Sequence, residues 1–185
     1  MEILDLNQWR KIKIMNKLNE DFTKLYKRWK GGSVRKEDKI DRDAVRKFIN
    51  YYYINKDNVT IHETCADFDE HIIIGNINDL TFKFGRVSGG FDAGHINLED
   101  NDMKFMPEYV GDDFNISGNR LKSFKGCPKE VGGNFLAAAS HNLESLEGLP
   151  KHIGGYLLIT IDKKGKFTKD DIPDGTVVDK QIIIQ

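Results

Sequence analysis

Two acidic segments hold the side chains that could bind a metal ion. DFDEH at residues 67–71 places three carboxylates beside an imidazole, and EDND at residues 99–102 brings three carboxylates together. Calcium prefers oxygen ligands of this kind, but the second segment lacks the glycine and the distant glutamate of an EF-hand loop. For the first segment, we favour a solvated bend before a strand over a metal site. We therefore predict no metal site at either segment.

Neither cysteine has the sequence context of a catalytic nucleophile. Cys127 precedes Pro128 at a position where a similar segment has Leu149, which predicts buried apolar packing. A reactive thiolate needs a neighbouring base, and the chain contains no GxSxG, P-loop, HExxH or GxGxxG motif. We expect a protein that is not an enzyme and needs no cofactor. An enzyme with an unfamiliar type of site remains an alternative.

A basic segment near the start of the chain could contact phosphate groups. Residues 10–47 hold 14 Lys/Arg against 6 Asp/Glu, a charge of +8, whereas residues 48–185 hold 14 against 21, a charge of −7. The candidate contacts to an anion or nucleic acid are Lys24, Lys27, Arg28, Lys30, Arg35 and Lys36. Such contacts would give salt-sensitive, non-specific binding. The alternative is that these side chains form the wet face of amphipathic helices.

The elements that would position these side chains repeat about every 22 residues. VSGGF, VGDDF, VGGNF and IGGYL are spaced by 23, 21 and 22 residues, and begin at Val87, Val110, Val131 and Ile153. KSFKGCPKEV at 122–131 aligns without a gap on ESLEGLPKHI at 144–153. A period of this size predicts a β-solenoid of about four coils, in which each unit buries its apolar face against its neighbours.

One repeat shows which side chains should face outward. FNISGNRL at residues 114–121 fits the leucine-rich-repeat pattern L-x-L-x-x-N-x-L. Strand alternation puts Phe114 and Ile116 inward, and Asn119 is expected to satisfy backbone groups where the chain turns. The outward positions that we predict to bind a partner are Asp92, Asn115, Ser117, Leu136, Tyr156, Leu158 and Thr160. The alternative is that the apolar ones lie beneath a C-terminal cap.

The repeats VGDDFNISGNRLKSFKGCPKE and VGGNFLAAASHNLESLEGLPKH resemble the degenerate leucine-rich repeats of small proteins in tailed-phage genomes. The likeness covers about residues 48–161. The second repeat departs from it at AAAS (137–140), where larger residues are usual, and HN at 141–142 is shifted by one position. The register there stays open.

The resemblance implies a bacteriophage accessory protein that works in the host cytoplasm. It would bind a host protein, such as a defence enzyme or a toxin, and inhibit it. The acidic body of the chain would suit a basic partner. The cysteines form no CxxC pair, which also favours a reducing, cytoplasmic setting. A nucleic-acid-binding protein acting through the basic N-terminal helices is the alternative.

The expected fold is α+β, with helices at one end of the repeats. We divide the chain into a basic helical region (1–53), the leucine-rich-repeat-like solenoid (54–161) and a C-terminal cap (162–185). The apolar face of a first helix holds Leu18, Phe22, Leu25 and Trp29. A second helix, capped by Asp41 or Asp43, would turn Val45, Phe48, Ile49 and Tyr52 inward. No apolar run reaches the roughly 18 residues of a membrane span, so no membrane partner is expected.

Overall fold

The computed structural model describes residues 39–161 and 166–185. Residues Ile40–Gln185 form one compact unit, built from two β-sheets, helix α1 (Arg42–Tyr51) and several short 3-10 helices. The 3-10 helices are Lys56–Asn58, Ile77–Asp79, Asp100–Phe105 and Lys169–Asp171. The predicted first helix, with Leu18, Phe22, Leu25 and Trp29, lies outside the described residues.

The strands are short and pass alternately through the two sheets. Sheet A contains β1 (Val59–Ile61), β2 (Ala66–Phe68), β4 (Phe84–Val87), β6 (Tyr109–Val110), β8 (Glu130–Val131), β10 (His152–Ile153) and β12 (Val177–Val178). Sheet B contains β3 (Ile72–Ile73), β5 (Phe91–Asp92), β7 (Phe114–Asn115), β9 (Phe135–Ala137), β11 (Leu157–Ile159) and β13 (Ile182–Ile184).

Parallel pairing joins almost all of these strands. Only β1 and β2 pair antiparallel among the strands described; β2 and its successors in sheet A, and all of sheet B, pair parallel. We call one passage through sheet A and then sheet B a layer; the described residues contain six, from β2–β3 to β12–β13. The expectation of repeated, mostly parallel strands in a chain with few helices is confirmed.

A column of aromatic rings fills the space between the sheets. Phe91, Phe114 and Phe135 occupy the same register position in successive strands of sheet B and are fully buried. Their ring centroids lie 6.0 Å and 5.6 Å apart. Burying a side chain of this size contributes about 2 kcal/mol or more, so the column is a main source of the stability of the layers.

Helix α1 packs on the first layers, ahead of the column. It begins after Asp41, whose side chain accepts hydrogen bonds from the backbone of Asp43 and Ala44. Of the two predicted capping residues, Asp41 and Asp43, the cap is therefore Asp41. The inner face of the helix buries Val45 and Phe48, with Ile49 and Tyr52 packed at the margin. The ring centroid of Phe48 lies 5.8 Å from that of Phe68, 5.4 Å from that of Phe82 and 5.5 Å from that of Phe84.

The corners between sheet A and sheet B bring backbones into close contact. At Gly132 a Cβ would lie 2.2 Å from the carbonyl oxygen of Gly111, and at Gly154 it would lie 2.3 Å from that of Gly132. The amides of the same two glycines donate to Val110 and Val131 of the previous layer, each at 2.9 Å. The VGG and IGG motifs therefore mark corners where no side chain fits.

The structure settles the register at residues 137–142. Because Phe135 pairs with Phe114, Ser140 takes the position that Asn119 has one layer earlier. Ser140 is buried, and its hydroxyl donates to the carbonyl oxygen of Ala137 at 2.9 Å. Asn142 is exposed and is therefore not the counterpart of Asn119. A serine hydroxyl replaces one of the backbone contacts that an asparagine amide would make.

The predicted C-terminal cap supplies one further strand to each sheet. β12 pairs parallel with β10, and β13 pairs parallel with β11. All three isoleucines of β13 are half-buried. The last strand lies in register with β11, and its Ile182 and Ile184 pack against the core.

Candidate interaction surface

A row of side chains runs along the outside of sheet B. The strand pairing places Ile73, Asp92, Asn115, Leu136, Leu158 and Ile183 at one register position, and we call this set the outward row. Neighbouring strands of a sheet lie roughly 4.8 Å apart, so adjacent members of the row can touch. Four of the seven predicted partner-binding residues belong to the row: Asp92, Asn115, Leu136 and Leu158.

The polar members of the outward row bond to each other and to the backbone. The side-chain amide of Asn115 donates to Asp92 Oδ1 at 3.0 Å. The same Asp92 oxygen accepts from the backbone of Gly94 at 2.9 Å, and Asn115 Oδ1 accepts from the backbone of Ser117 at 3.0 Å. These contacts hold the side chains of Asp92 and Asn115 in fixed orientations. Both side chains therefore stabilise the turns that follow β5 and β7.

The hydroxyl residues beside the row also connect successive layers. The Ser117 hydroxyl accepts from the backbone of Ala138 at 3.1 Å. The Thr160 hydroxyl accepts from the backbone of Ala139 at 2.8 Å. Each of these predicted binding residues therefore has a structural contact in the chain itself.

The remaining part of the row is apolar. Leu136, Leu158 and Ile183 lie in direct register on β9, β11 and β13, and all three are half-buried. We call these three side chains the apolar strip. Tyr156, which directly precedes β11, is 42% exposed, and Lys180 Nζ lies 5.3 Å from its ring centroid. Exposed aromatic residues beside aliphatic ones are typical of interface centres.

Sequence reasoning missed the contribution of Ile73 and Ile183 to the row. Ile73 is 59% exposed at one end, and Ile183 pairs with Leu158 at the other. The alternation of IIIG at residues 72–75 and QIIIQ at 181–185 could have revealed them, because every second isoleucine in a strand faces outward.

Acidic side chains are concentrated in the first layers. Residues 57–119 hold 13 Asp/Glu against 3 Lys/Arg, a charge of −10, while residues 120–185 hold 8 against 10, a charge of +2. The net charge of −7 over residues 48–185 does not show this difference between the two parts. A basic partner would therefore be attracted to the layers that contain β2 to β7.

The two acidic segments have structural roles. Asp67 Oδ1 accepts from the backbone of Arg86 at 2.6 Å, and its Oδ2 lies 2.7 Å from His62 Nε2. Asp102 accepts from the backbone of Glu99 at the start of a 3-10 helix, and Asp100 accepts from the backbone of Lys122. Within residues 39–161 and 166–185, no three His, Cys, Asp or Glu side chains are grouped so as to hold a metal ion.

Cys65, His62 and Asp67 lie in one hairpin, a combination that sequence reasoning did not single out. Burial, reinforced by Asp67, raises the pKa of Cys65 to about 12. Burial also raises the pKa of Cys127 well above its usual value. Since the thiolate is the reactive form, neither thiol is activated by its surroundings.

The basic segment is described only from residue 39, where it enters helix α1. Its predicted anion contacts lie outside the described residues: Lys24, Lys27, Arg28, Lys30, Arg35 and Lys36. In the portion of the chain that the structure describes, there is no helix whose length and hydropathy would let it cross a membrane.

Comparison with known proteins adds no relative. No protein-family model matches the chain, and no match was found among curated proteins or solved structures.

Proposed function

We propose that the protein is a leucine-rich-repeat-like solenoid that binds another protein through the outward row of sheet B. The observation that carries the proposal is the apolar strip of Leu136, Leu158 and Ile183 with Tyr156 at its side. A sheet held by repeated parallel pairing is pre-ordered, so binding to it costs little conformational entropy. The protein acts as a binding module and not as an enzyme.

The repeat class is supported by three features together. The sequence repeats every 21 to 23 residues over the four aligned motifs. Strands alternate between two sheets, and among the described strands the pairing register shifts only between β2 and β4. The buried Asn119 bonds to the backbone of two successive layers, which is the part that the asparagine of a leucine-rich repeat would play.

The partner that fits best is a basic host protein. The resemblance to phage repeat proteins implies a bacteriophage accessory protein that inhibits a host defence enzyme or toxin in the cytoplasm. The charge of −10 over residues 57–119 supports a basic partner. In this arrangement the acidic layers steer the encounter, and the apolar strip supplies the desolvated contact.

The test compares capture by matched variants from nuclease-treated bacterial lysate. The Tyr156→Ala, Leu158→Ser double variant removes exposed apolar surface from sheet B, whereas Val177→Ser removes an exposed valine from sheet A. We expect one dominant protein to bind the wild type and the Val177 variant, but not the double variant. Equal capture by a folded double variant would refute the proposed surface.

Nucleic-acid binding is the second candidate, and the +8 charge of residues 10–47 favours it. This candidate predicts that the protein is retained on nucleic acid and that the retention falls steeply as the salt concentration rises. Proteins captured from lysate would then disappear after nuclease treatment. That result would assign the function to the basic segment and would contradict the protein-binding proposal.

A further inference from the structure

A pocket of about 500 Å³ opens between helix α1 and the 3-10 helix Ile77–Asp79. Its walls include Asp41, Lys47, Tyr51, Tyr52, Asn78 and Asp79. The volume falls within the range of roughly 300–1,000 Å³ typical of small-ligand sites. The pocket lies outside the outward row, and neither the acidic segments nor the repeats of the sequence indicated it.

One carboxylate of the pocket is held in a fixed position. The Tyr52 hydroxyl donates to Asp79 Oδ2 at 2.5 Å and accepts from the backbone of Gly75 at 2.9 Å. Burial and the hydrogen bond to Asp79 raise the pKa of Tyr52 to about 12. The hydroxyl therefore stays protonated at neutral pH and keeps donating to Asp79. A pre-positioned carboxylate binds a cation without the entropic cost of ordering it.

Two aromatic rings meet at a right angle beside this carboxylate. The centroids of Tyr51 and Tyr52 are 4.9 Å apart, with an angle of 84° between the ring planes. Tyr51 is 71% exposed, so most of its ring is open to a ligand. The face of an aromatic ring attracts cations, so the exposed ring of Tyr51 can stack on a cation beside Asp79.

The charges of the lining also favour a cation. Asp41 and Asp79 outnumber Lys47, so the charged lining sums to −1. Asp41 is fixed as well, because its Oδ1 accepts from the backbone of Asp43 and Ala44. The lining has only two carboxylates, and no three His, Cys, Asp or Glu side chains among the described residues are grouped to hold a metal ion. An organic cation uses both the carboxylates and the rings.

A guanidinium group matches the pocket better than an ammonium group. It is planar, it stacks on aromatic faces, and its five donors lie in one plane where they can reach several acceptors. Asp79, Asn78 and Thr81 supply acceptors from the same wall. We propose that this pocket binds the side chain of an arginine that a partner protein presents.

The pocket is also well placed relative to the proposed interaction surface. Ile73, the exposed end of the outward row, precedes Gly75, whose amide donates to Tyr52 in the pocket wall. The source of the arginine rests on the proposed function, while the recognition of guanidinium rests on the pocket alone. Peptide binding therefore tests the pocket without the partner.

The experiment is an amide-resolved NMR titration of the full chain with the blocked tripeptide acetyl-Gly-Arg-Gly-amide. Its citrulline counterpart has nearly the same shape as the arginine peptide but no charge. Its lysine counterpart keeps the positive charge but has no planar guanidinium group. We expect saturable shifts in α1 and residues 75–81, with a Kd on the order of millimolar for so small a ligand. The lysine peptide should bind about threefold more weakly, and the citrulline peptide should give no saturable shift.

Variants separate the pocket from general surface charge. Tyr51→Ala should weaken binding of the arginine peptide about threefold. Asp79→Asn should weaken it about tenfold, because the amide oxygen still accepts from Tyr52 but carries no charge. Lys47→Ala should strengthen binding. Tyr53→Ala is the matched control, since Tyr53 is 95% exposed and does not line the pocket; its Kd should equal that of the wild type.

Equal affinity for the citrulline peptide, or equal weakening by Tyr51→Ala and Tyr53→Ala, would overturn the inference. Absence of saturable shifts in α1 would do so as well. Such a failure leaves the proposed function standing if capture still depends on Tyr156 and Leu158. Peptide binding together with capture that ignores Tyr156 and Leu158 would instead support the pocket and refute the outward row.

Discussion

The side-chain amide of Asn119 donates a 2.8 Å hydrogen bond to the carbonyl oxygen of Ala93, 26 residues earlier in the chain. The same amide group donates to Ile116 within its own layer at 2.9 Å. Its oxygen accepts from the backbone of Ile96 at 3.2 Å and of Leu98 at 2.9 Å. With 5% of its surface exposed, this side chain satisfies backbone groups of two layers that water does not reach.

Replacing Asn119 by alanine should therefore destabilise the protein strongly. Two amides and two carbonyl oxygens would lose a partner, and each buried group left unsatisfied costs about 1–3 kcal/mol. We expect the free energy of unfolding to fall by about 4 kcal/mol or more, measured by urea denaturation. Asn142→Ala is the control, because Asn142 is exposed; it should change the free energy by less than about 0.5 kcal/mol. Comparable losses in both variants would contradict the register at residues 137–142.

A methyl group at the corner glycine Gly132 should also destabilise the layers. Its Cβ would lie 2.2 Å from the carbonyl oxygen of Gly111, and the two backbones would have to move apart. We expect Gly132→Ala to lower the free energy of unfolding by about 3 kcal/mol. Gly175→Ala tests conformational strain without a clash, since Gly175 has a φ of 89° and open space around it; its cost should be about 1 kcal/mol. A harmless Gly132→Ala variant would show that the layers are not in close contact at this corner.

Sequence reasoning identified the features that repeat. Phe114 and Ile116 are buried as the alternation predicts, because an inward position recurs in every layer and the period makes it visible. Asn119 was identified because FNISGNRL at residues 114–121 fits the leucine-rich-repeat pattern. The helix of Val45 and Phe48 was visible in its spacing, which has the 3.6-residue period of a helix face.

Contacts that occur once leave no periodic signal. The Tyr52–Asp79 hydrogen bond joins residues 27 positions apart, and nothing in either segment marks the other. Ser140 replaces Asn119 in the next layer, and the nearby Asn142 makes the wrong alignment equally plausible in the sequence. The pairing of Asp92 with Asn115 shows only that outward residues can also be structural, which the alternation alone does not distinguish.

The thiol of Cys65 should react very slowly in the folded protein. A pKa of about 12 leaves about a thousandfold less thiolate at pH 8 than an unperturbed cysteine has. Iodoacetamide labelling at pH 8, followed by mass spectrometry, should show a rate about a thousandfold below that of the urea-unfolded chain. Similar rates in the folded and unfolded chain would show that Cys65 is not held in a desolvated site.

The same shift predicts a loss of stability at alkaline pH. The unfolded thiol loses its proton near its ordinary pKa of 9.0, whereas the folded thiol keeps it until about 12. The unfolded state is therefore favoured increasingly as pH rises from about 9 to 12, and below pH 9 the contribution is constant. Unfolding free energies measured from pH 8 to 11 should fall less steeply for Cys65→Ala than for the wild type. Identical slopes would contradict the assignment to this thiol.

Two adjacent leucines on β11 should respond in opposite ways to substitution. Leu157 is fully buried between the sheets, whereas Leu158 belongs to the outward row and is half-buried. Leu157→Ala removes core contacts and should cost about 2–5 kcal/mol of unfolding free energy. Leu158→Ala should cost less than about 1.5 kcal/mol, because only part of its surface leaves an apolar environment. Partner capture should show the reverse order once both variants are assayed well below their unfolding temperatures. If Leu158→Ala proved as destabilising as Leu157→Ala, Leu158 would be a core residue, and the outward row would lose its central member.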